Sequence, residues 1–441
     1  MRAPDQTADR PAPAAADPLV AAGYSTPYRV YCLLLLLATY TLNFIDRYVI
    51  SVLLPQIKGE FALADWQLGL MTGTAFAFFY SAMGLPIARW ADGGIRRDII
   101  ALAIAVWSVM AAAGGMAANY FQLLLARIGV AVGEAGCTPP SHSLIGDLFS
   151  ARRRATAIAV FSLGPPFGVS LALALGGWLG EDYGWRAALV MIGLPGLALA
   201  ALVRFTVREP PRGLVEQRTA KQAAPSILET ARFLISLPTY RHMVAAIGLV
   251  SIASYGTQMW MPSFLQRSYD MNLGDVGRYL SIGVFASQTI GGLGGAWLAE
   301  TLGRHDRRWW LWGPAVFMAA SVPLAIAAYL THSLWLTVSG LFVLHVALLI
   351  YNAPTYSLGQ MLVGLRMRAM VSAVTLLVVS VIGLGIGPFL VGTLSDLFAP
   401  RFGAESLRYA LLVPPLFVAW SAFHYYMAGR TAPADIARAP D

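Results

Sequence analysis

The chain has 441 residues, of which 57% are hydrophobic and only 12% are charged, and its mean hydropathy is +0.61. A soluble domain of this length does not need so much apolar surface, so the composition predicts an integral membrane protein and excludes an ordinary soluble one. The net charge of +8 does not indicate a nucleic-acid partner, because the basic residues concentrate in the loops on one side of the predicted helices.

The chain begins with residues 1–28, which are rich in Pro and Ala and are predicted to be a disordered cytoplasmic tail without a cleavable signal peptide. The first apolar run extends from about Tyr31 to Leu54, long enough to cross roughly 30 Å of hydrocarbon as a helix. Asp46 and Arg47 lie side by side in its middle. A charge there costs about 2.5–3.5 kcal/mol, so both residues are expected to face a cavity or a partner helix.

Apolar runs recur along the chain in two sets of six. The predicted spans are 30–54, 66–90, 98–118, 121–147, 155–180, 185–207, 241–265, 275–301, 309–331, 335–362, 368–395 and 406–428. They predict an all-α membrane protein with twelve transmembrane helices in two pseudo-symmetric halves, 29–207 and 241–428. A polar linker, 208–240, joins the halves, and a second tail covers 429–441. The positive-inside rule then predicts an inner-membrane protein with both termini and the linker in the cytoplasm.

The loops after the second and eighth predicted helices carry matching charges. Asp92 is followed by Arg96 and Arg97, and Glu300 is followed by Arg304. An acid at the same place in both halves predicts a cytoplasmic gate, in which Asp92 approaches the positive N-terminus of the eleventh helix. The alternative is ordinary anchoring of the loops by their arginines.

The fifth predicted helix contains Gly164, Pro165 and Pro166. Proline removes helical hydrogen bonds, so this helix is expected to kink there. We assign the three residues to the moving gate, with simple helix packing as the alternative.

Charged residues lie deep in the predicted spans at four places, Asp46 and Arg47 on the first helix and Arg127 and Glu134 on the fourth. Asp46 and Arg127 are at similar heights and are expected to pair. Glu134 is predicted to carry a coupled proton, with Asp46 as the second candidate. Arg47 is predicted to hold an anionic substrate head, while Arg127 shares that task or neutralises Asp46. The alternative is a purely architectural cluster of salt bridges.

The second half offers candidate cavity residues that are polar or aromatic, namely Tyr255, Gln258, His345, Tyr351 and Asn352. They are predicted to bind substrate, although such residues also occur at packing and interface positions. With the charge in the first half and a largely apolar wall in the second, the arrangement favours an amphipathic anion over a sugar.

Several of these motifs resemble the major facilitator superfamily. They are Asp92 with Arg96 and Arg97, Arg127 with Gly133, and Gly164-Pro165-Pro166-Phe167-Gly168, although Gly93, Ile95 and Val169 depart from the usual residues. A narrower set resembles the Spinster branch: Asp46-Arg47-Tyr48, Gly133-Glu134-Ala135, Ile145-Gly146-Asp147-Leu148-Phe149 and Gly387-Pro388 with Ser395-Asp396.

The resemblance implies a proton-coupled secondary transporter that moves lysophospholipids or sphingoid phosphates by alternating access. The motif of the fifth helix is similar to one in antiporters and so implies antiport. A drug or organic-anion exporter of the same superfamily is the alternative.

One spacing suggests an enzyme instead. His142 and Asp147 match the His-x4-Asp pattern of glycerolipid acyltransferases, but the further motifs of such enzymes are missing, so this is a remote alternative. Cys32 and Cys137 fall inside predicted helices, so neither a disulfide nor a metal cluster is expected. Without a P-loop, no ATP-driven pump and no cofactor is predicted. The expected partners are the substrate, protons and the bilayer, with the protein as a monomer.

Overall fold

The computed structural model describes residue 19 and residues 23–213, 227–364 and 367–438, and this part of the chain is helical without β-strands. We number the membrane helices α1 to α12. In the first half these are α1 Thr26–Phe61, α2 Asp65–Gly93, α3 Arg96–Gly115, α4 Tyr120–Leu148, and α5 and α6 within the run Ala151–Thr206. The turn between α5 and α6 is at Gly184, whose φ of 78° few other residues adopt.

The second half repeats this layout after a linker helix, Ile227–Ser236. Its members are α7 Pro238–Tyr269, α8 Leu273–Leu302, α9 Trp309–Leu330, α10 Leu334–Met361, α11 with the segments Arg368–Val378, Val379–Leu384 and Gly385–Phe402, and α12 with the segments Ser406–Ala410 and Val413–Ile436. By length and composition, nine stretches of the described chain qualify as membrane spans. Two of these nine stretches, Ala151–Thr206 and Met370–Ile436, each contain two membrane helices, which makes eleven. With α8 the number is twelve, so the predicted twelve-helix fold is confirmed.

Several membrane helices are interrupted near their middle. α4 breaks at residues 135–137, directly after Glu134, and α10 breaks at residues 348–351. α4 and α10 hold equivalent places in the two halves, so the breaks are related by the internal repeat. Irregular backbone at membrane depth is tolerated where it is buried in protein or lines a cavity. These breaks therefore mark the level of a candidate site.

α5 is also interrupted, between Phe161 and Gly164. The break lies where Pro165 and Pro166 predict a kink. Both prolines fall in the first turn of the new segment, where a missing N–H costs nothing. Whether this break moves in a gate stays a prediction.

The two halves approach each other most closely between α5 and α8 and between α2 and α11. A Cβ on Gly177 would lie 2.9 Å from the Cα of Gly277, and one on Gly73 would lie 2.9 Å from the carbonyl oxygen of Leu384. Glycine at these positions lets the helices of opposite halves pack backbone against backbone.

One face of the molecule carries the chain ends, and we call it the terminal face. Tyr24 and Tyr28 donate hydrogen bonds to the carbonyls of Glu209 and Thr206, at the end of α6. The N–H of Thr239, at the start of α7, donates to Asp435 near the end of α12. The other side, where α1 meets α2 and α7 meets α8, is called the opposite face.

The halves are joined at the opposite face. Asp65 at the start of α2 pairs with Arg267 near the end of α7 at 2.7 Å, and the N–H of Gly274 donates to Glu181 at 2.5 Å. The hydrogen bonds and ion pairs that join described residues of the two protein halves all lie on the side of the membrane that ends at the opposite face. The deepest of them is donated by the Thr74 hydroxyl. The protein is therefore closed at the opposite face.

Candidate functional site

Two of the predicted buried charges form a direct ion pair between α1 and α4. The Nε and Nη2 atoms of Arg47 donate to the same carboxylate oxygen, Oε2 of Glu134, at 2.9 Å and 2.5 Å. The Glu134 side chain is completely buried and that of Arg47 is 8% exposed. Glu134 is also the last residue before the break in α4. The pair thus joins an intact helix to a broken one in the middle of the first half.

Arg127 does not pair with Asp46 as the sequence suggested. It donates to the backbone carbonyls of Asp46 at 3.0 Å and Arg47 at 3.4 Å. Arg127 lies at the level of Asp46, but its guanidinium reaches the α1 backbone and not the carboxylate. Arg127 thereby fastens α4 to the stretch of α1 that carries both charges.

The carboxylate of Asp46 is left without a hydrogen bond. Asp46 is 1% exposed, and both of its side-chain oxygens lack a hydrogen-bond partner, as does Oε1 of Glu134. The indole nitrogen of Trp107 is likewise buried without a hydrogen-bond partner. The four charges therefore sum to zero, but only Arg47 and Glu134 form a close ion pair. The carboxylates of Asp46 and Glu134 both keep oxygen atoms without a hydrogen bond in this apolar region.

Aromatic rings surround the two arginines. The guanidinium carbon of Arg47 lies 4.9 Å from the ring centres of Phe44 and Tyr80 and 5.1 Å from that of Phe76. Phe76 is shared, because the guanidinium of Arg127 lies 5.2 Å from its centre. Both arginines are buried, Arg47 at 7% and Arg127 at 4% exposure, and cation–π contacts stabilise a guanidinium most when it is withdrawn from solvent.

A central cavity lies between the halves, with about 660 Å³ of empty space that is partly continuous with solvent. The first half contributes Phe44 and Tyr48, and the second half contributes all five residues that the sequence predicted there: Tyr255, Gln258, His345, Tyr351 and Asn352. Arg47 does not line the cavity itself, but its guanidinium lies 4.9 Å from the ring centre of Phe44, which does.

The second-half wall of this cavity is more polar than the sequence suggested. Ser251, Ser254 and Gln288 line it together with Gln258 and Asn352. The second half therefore adds hydroxyl and amide groups to the largely apolar wall that the sequence predicted. The spacing of Ser251, Ser254 and Gln258 along one face of α7 could have revealed it, because three- and four-residue steps align on a helix.

The predicted gate residues of the terminal face divide into two groups. Arg96 is fully buried and ion-pairs with Asp147 and with Glu209, the latter at 2.6 Å. Arg97 donates to Asp98 at 2.7 Å and to the carbonyl of Val207. None of these contacts reaches the second half; they bind the start of the linker to α3 and α4, which is a structural role in this conformation.

The second group, Asp92, Glu300 and Arg304, is exposed and forms no ion pair with the described residues. Asp92 forms no hydrogen bond or ion pair with the described side chains of α11, so its gate role stays a prediction. The side chain of Arg368, at the start of α11, is outside the described residues.

The enzyme-like spacing does not form a dyad. Asp147 is bound to Arg96 and also accepts from the N–H of Gly213, whereas His142 packs its ring against Phe161 with centres 5.3 Å apart. A general base needs a carboxylate or substrate within hydrogen-bond reach, and His142 has none among the described residues.

A cluster at the opposite face, which we call the outer latch, consists of Asp65, Arg267, Ser395 and Asp396. The sequence analysis noted Ser395 and Asp396 only as part of a resemblance and did not predict the cluster. The carboxylate of Asp65 accepts two bonds from Arg267 at 2.7 Å and 2.8 Å, one from Ser395 at 2.7 Å, and one from Lys58 of its own half at 2.6 Å. Asp396 accepts from the N–H groups of Asp65 and Trp66 at the N-terminus of α2. Each half thus holds the other through a carboxylate.

Comparison with known proteins identifies relatives of this arrangement. Residues 36–388 match the model of the Major Facilitator Superfamily. An MFS-type efflux pump of Mycolicibacterium smegmatis is 34% identical over 377 residues, which are 85% of this chain and 86% of the pump. The sphingosine-1-phosphate transporter SPNS2 of Danio rerio is 28% identical over 232 residues, which are 52% of this chain and 46% of that protein.

The fold is also similar to that of solved structures. A bacterial homolog of the human lysosomal transporter Spinster, in an inward-facing and unoccupied conformation, aligns with a TM-score of 0.83 and 33% identity. The alignment covers 93% of this chain and 99% of the homolog.

Proposed function

The chain belongs to the Spinster-like branch of the major facilitator superfamily, and on that premise we propose that it is a proton-coupled carrier of amphipathic anions. The substrates in this proposal have a phosphate head and one hydrocarbon chain, as lysophospholipids and sphingoid phosphates do. The pair between Arg47 and Glu134, next to the central cavity and the break in α4, is the observation that carries the proposal.

Arg47 suits a phosphate head. A guanidinium binds phosphate through two parallel, charge-assisted hydrogen bonds, and here it already holds one carboxylate oxygen with two of its nitrogens. A phosphate that enters from the cavity, past Phe44, replaces that carboxylate. Arg127 remains on the α1 carbonyls and adds a second positive charge nearby.

The same exchange provides coupling to protons. When the phosphate takes Arg47 away from Glu134, Glu134 is left buried beside the carboxylate of Asp46, which has no hydrogen-bond partner either. An isolated ionised group in an apolar interior costs several kcal/mol. Protonation of Glu134 removes this cost, so anion binding and proton binding favour each other. Asp46 is the second position for the proton.

This linkage moves the anion and the proton in the same direction. The antiporter-like motif at Gly164, Pro165 and Pro166 supports the opposite sense, in which the anion leaves in exchange for a proton. An imposed pH gradient has opposite effects in the two cases, so the sign of its effect distinguishes them.

The proposal that the substrate is a lipid is supported by the relatives and by the lining of the central cavity. The zebrafish relative is named for sphingosine 1-phosphate, and the solved homolog is related to Spinster. The polar second-half wall, with Gln258 and Asn352, suits the remaining polar atoms of such a head.

We also propose that the terminal face is cytoplasmic, in an inner membrane, and that the carrier works as a monomer. The concentration of arginine in the linker and loops of that face supports this orientation. Closure at the opposite face then corresponds to an inward-facing state, the state of the similar Spinster homolog.

A drug or organic-anion exporter is the second candidate. It is favoured by the mycobacterial relative, which is named an efflux pump and matches most of the chain. Planar aromatic substrates would then lie against Phe44, Tyr255 and Tyr351.

The test is binding to purified wild-type protein and to Arg47→Lys. The ligands are alkyl phosphates, lysolipids, sugars and hydrophobic organic cations, and the measured quantity is the shift of the thermal unfolding midpoint. We expect stabilisation by the phosphate amphiphiles and a loss of about tenfold in affinity in Arg47→Lys, because lysine keeps the charge but not the paired hydrogen bonds. Stabilisation by the cations and not by the phosphates would instead support a drug exporter.

A further inference from the structure

A groove near the terminal face lies between the linker helix, α7 and α11. It has a volume of about 350 Å³, and its walls are almost entirely apolar. The linker helix contributes Leu234 and Ile235, α7 contributes Val244 and Ala245, and α11 contributes Val374. The groove and the central cavity share no lining residue. The groove is therefore separate from the site on which the proposed function rests.

Two polar side chains line the end of the groove that is nearest the terminal face, in the first turn of α7. Arg241 is exposed and forms no ion pair with the part of the chain that the structure describes. Tyr240 is 3% exposed, and its hydroxyl makes no hydrogen bond with any described residue. A buried hydroxyl without a partner is unfavourable, so this one indicates a ligand that accepts its hydrogen bond.

The order of these groups along α7 matches the order of groups in a membrane phospholipid. Tyr240 and Arg241 lie at the end of the helix, at the level of the lipid head groups, and Val244 and Ala245 lie one turn deeper. A phosphate suits the guanidinium, an ester or phosphate oxygen suits the hydroxyl, and a hydrocarbon chain suits the apolar wall. The described residues that line the groove include no carboxylate, which favours a head group with a net negative charge.

We propose that this groove, which we call the linker groove, binds an anionic phospholipid of the surrounding membrane. The inference does not depend on the proposed function, because the linker groove and the central cavity are separate. The bound lipid joins the linker helix to α7 and α11 of the second half. This site differs from the general attraction of anionic lipids to basic loops, because it needs one particular arginine and the groove beside it.

Other occupants use only part of the linker groove. A soluble phosphate binds Arg241 but leaves the apolar wall uncovered. A hydrocarbon chain without a head group covers the wall but leaves the hydroxyl of Tyr240 without a partner and Arg241 without a counter-charge. A phospholipid satisfies all three features, and it is abundant at this depth of the membrane.

The charge is tested by native mass spectrometry of the delipidated full chain, which measures the Kd of the first lipid bound. The ligands are phosphatidylglycerol and phosphatidylcholine with the same two chains. Wild type should bind phosphatidylglycerol about fivefold more tightly, as one arginine near a membrane surface provides, and Arg241→Gln should lose this preference. Arg430→Gln is the matched control, since Arg430 is exposed near the same face but does not line the linker groove, and it should keep the preference.

The apolar wall and the hydroxyl are tested by two further variants. Ala245→Phe fills the groove and should weaken both lipids by about tenfold, the typical effect of overpacking. Ala320→Phe is its control, because Ala320 is an exposed alanine of α9 away from the groove. Tyr240→Phe should weaken both lipids by about fivefold without lowering the unfolding midpoint of the delipidated protein, because the hydroxyl has no described protein partner to lose.

A preference for phosphatidylglycerol that survives Arg241→Gln, or that Arg430→Gln lowers equally, would overturn the site. Unchanged lipid affinity in Ala245→Phe would overturn it too. Glycerol 3-phosphate should not compete with the lipid, and competition would identify a soluble phosphate as the ligand instead. Thermal unfolding of the delipidated variants checks that each is folded, and none of these outcomes alters the proposed function.

Discussion

The outer latch makes a quantitative prediction about the conformational equilibrium. Asp65 is in the first half, and its carboxylate is 2% exposed and bound by Arg267 and Ser395 of the second. These contacts hold the opposite face closed, and they must break when that face opens. Asp65→Asn keeps the shape of the side chain and removes its charge.

The size of the effect follows from burial. Removal of one partner of a fully buried ion pair costs about 3–5 kcal/mol. The Arg267 side chain is 18% exposed and so recovers part of this in water, which leaves about 2 kcal/mol. Because 1.4 kcal/mol is a factor of ten, Asp65→Asn should shift the equilibrium toward opening of the opposite face by about thirtyfold.

Spin labels report the shift. Residues 182 and 404 are exposed on the opposite face, one in each half, and pulsed electron resonance measures the distance between labels placed there. Cys32 and Cys137 are first replaced in all variants. In Asp65→Asn the population with the longer distance should grow, and Arg267→Gln should reproduce this without adding to it in the double variant.

The matched control is Asp275→Asn. Asp275 also lies at the opposite face, but it is 43% exposed and 3.6 Å from Arg278 of its own helix, so its ion pair contributes almost nothing. If Asp65→Asn and Asp275→Asn give the same distance distribution as the unsubstituted protein, the outer latch does not control closure.

Two further predictions concern the terminal face and the topology. Arg96→Ala removes the donor that Asp147, Glu209, Ser143 and Pro210 share, and it should lower the free energy of unfolding by about 3 kcal/mol while substrate affinity stays within twofold. Unchanged thermal unfolding would contradict the structural role of Arg96. If the terminal face is cytoplasmic, an impermeant thiol reagent added to intact cells should label a cysteine at position 118 and not one at 430, and the reverse pattern would invert the topology.

The twelve helices and the four buried charges could be predicted from sequence because lipid imposes a local cost. Each apolar run must be long enough to cross, and each charge within it must find a protein partner, so Asp46, Arg47, Arg127 and Glu134 stand out without any knowledge of packing. Their partners could not be predicted in the same way. Which carboxylate an arginine meets depends on the rotation and spacing of α1 and α4, and here Arg47 meets Glu134.

The outer latch could not be predicted by that reasoning. Asp65, Arg267 and Asp396 are at helix ends, where charges are common and cheap, so hydropathy gives them no weight. Their significance comes from helices of opposite halves that meet at one face. Conversely, Arg96 and Arg97 were expected at a gate because their loop is repeated, yet in this structure they bind the linker of their own half.

The central claim is that Glu134 couples a proton to anion transport, and a pH gradient tests it most directly. Uptake of a labelled alkyl phosphate is measured in proteoliposomes with and without the gradient, for wild type, Glu134→Gln and the control Glu60→Gln, whose acid is 44% exposed at the opposite face. Wild type and Glu60→Gln should concentrate the anion along the gradient. The glutamine of Glu134→Gln cannot ionise, so this variant should not accumulate the anion in response to the gradient, although it should still exchange anion across the membrane at equal pH. If Glu134→Gln responds to the gradient as wild type does, the proton is carried elsewhere and the coupling mechanism is wrong.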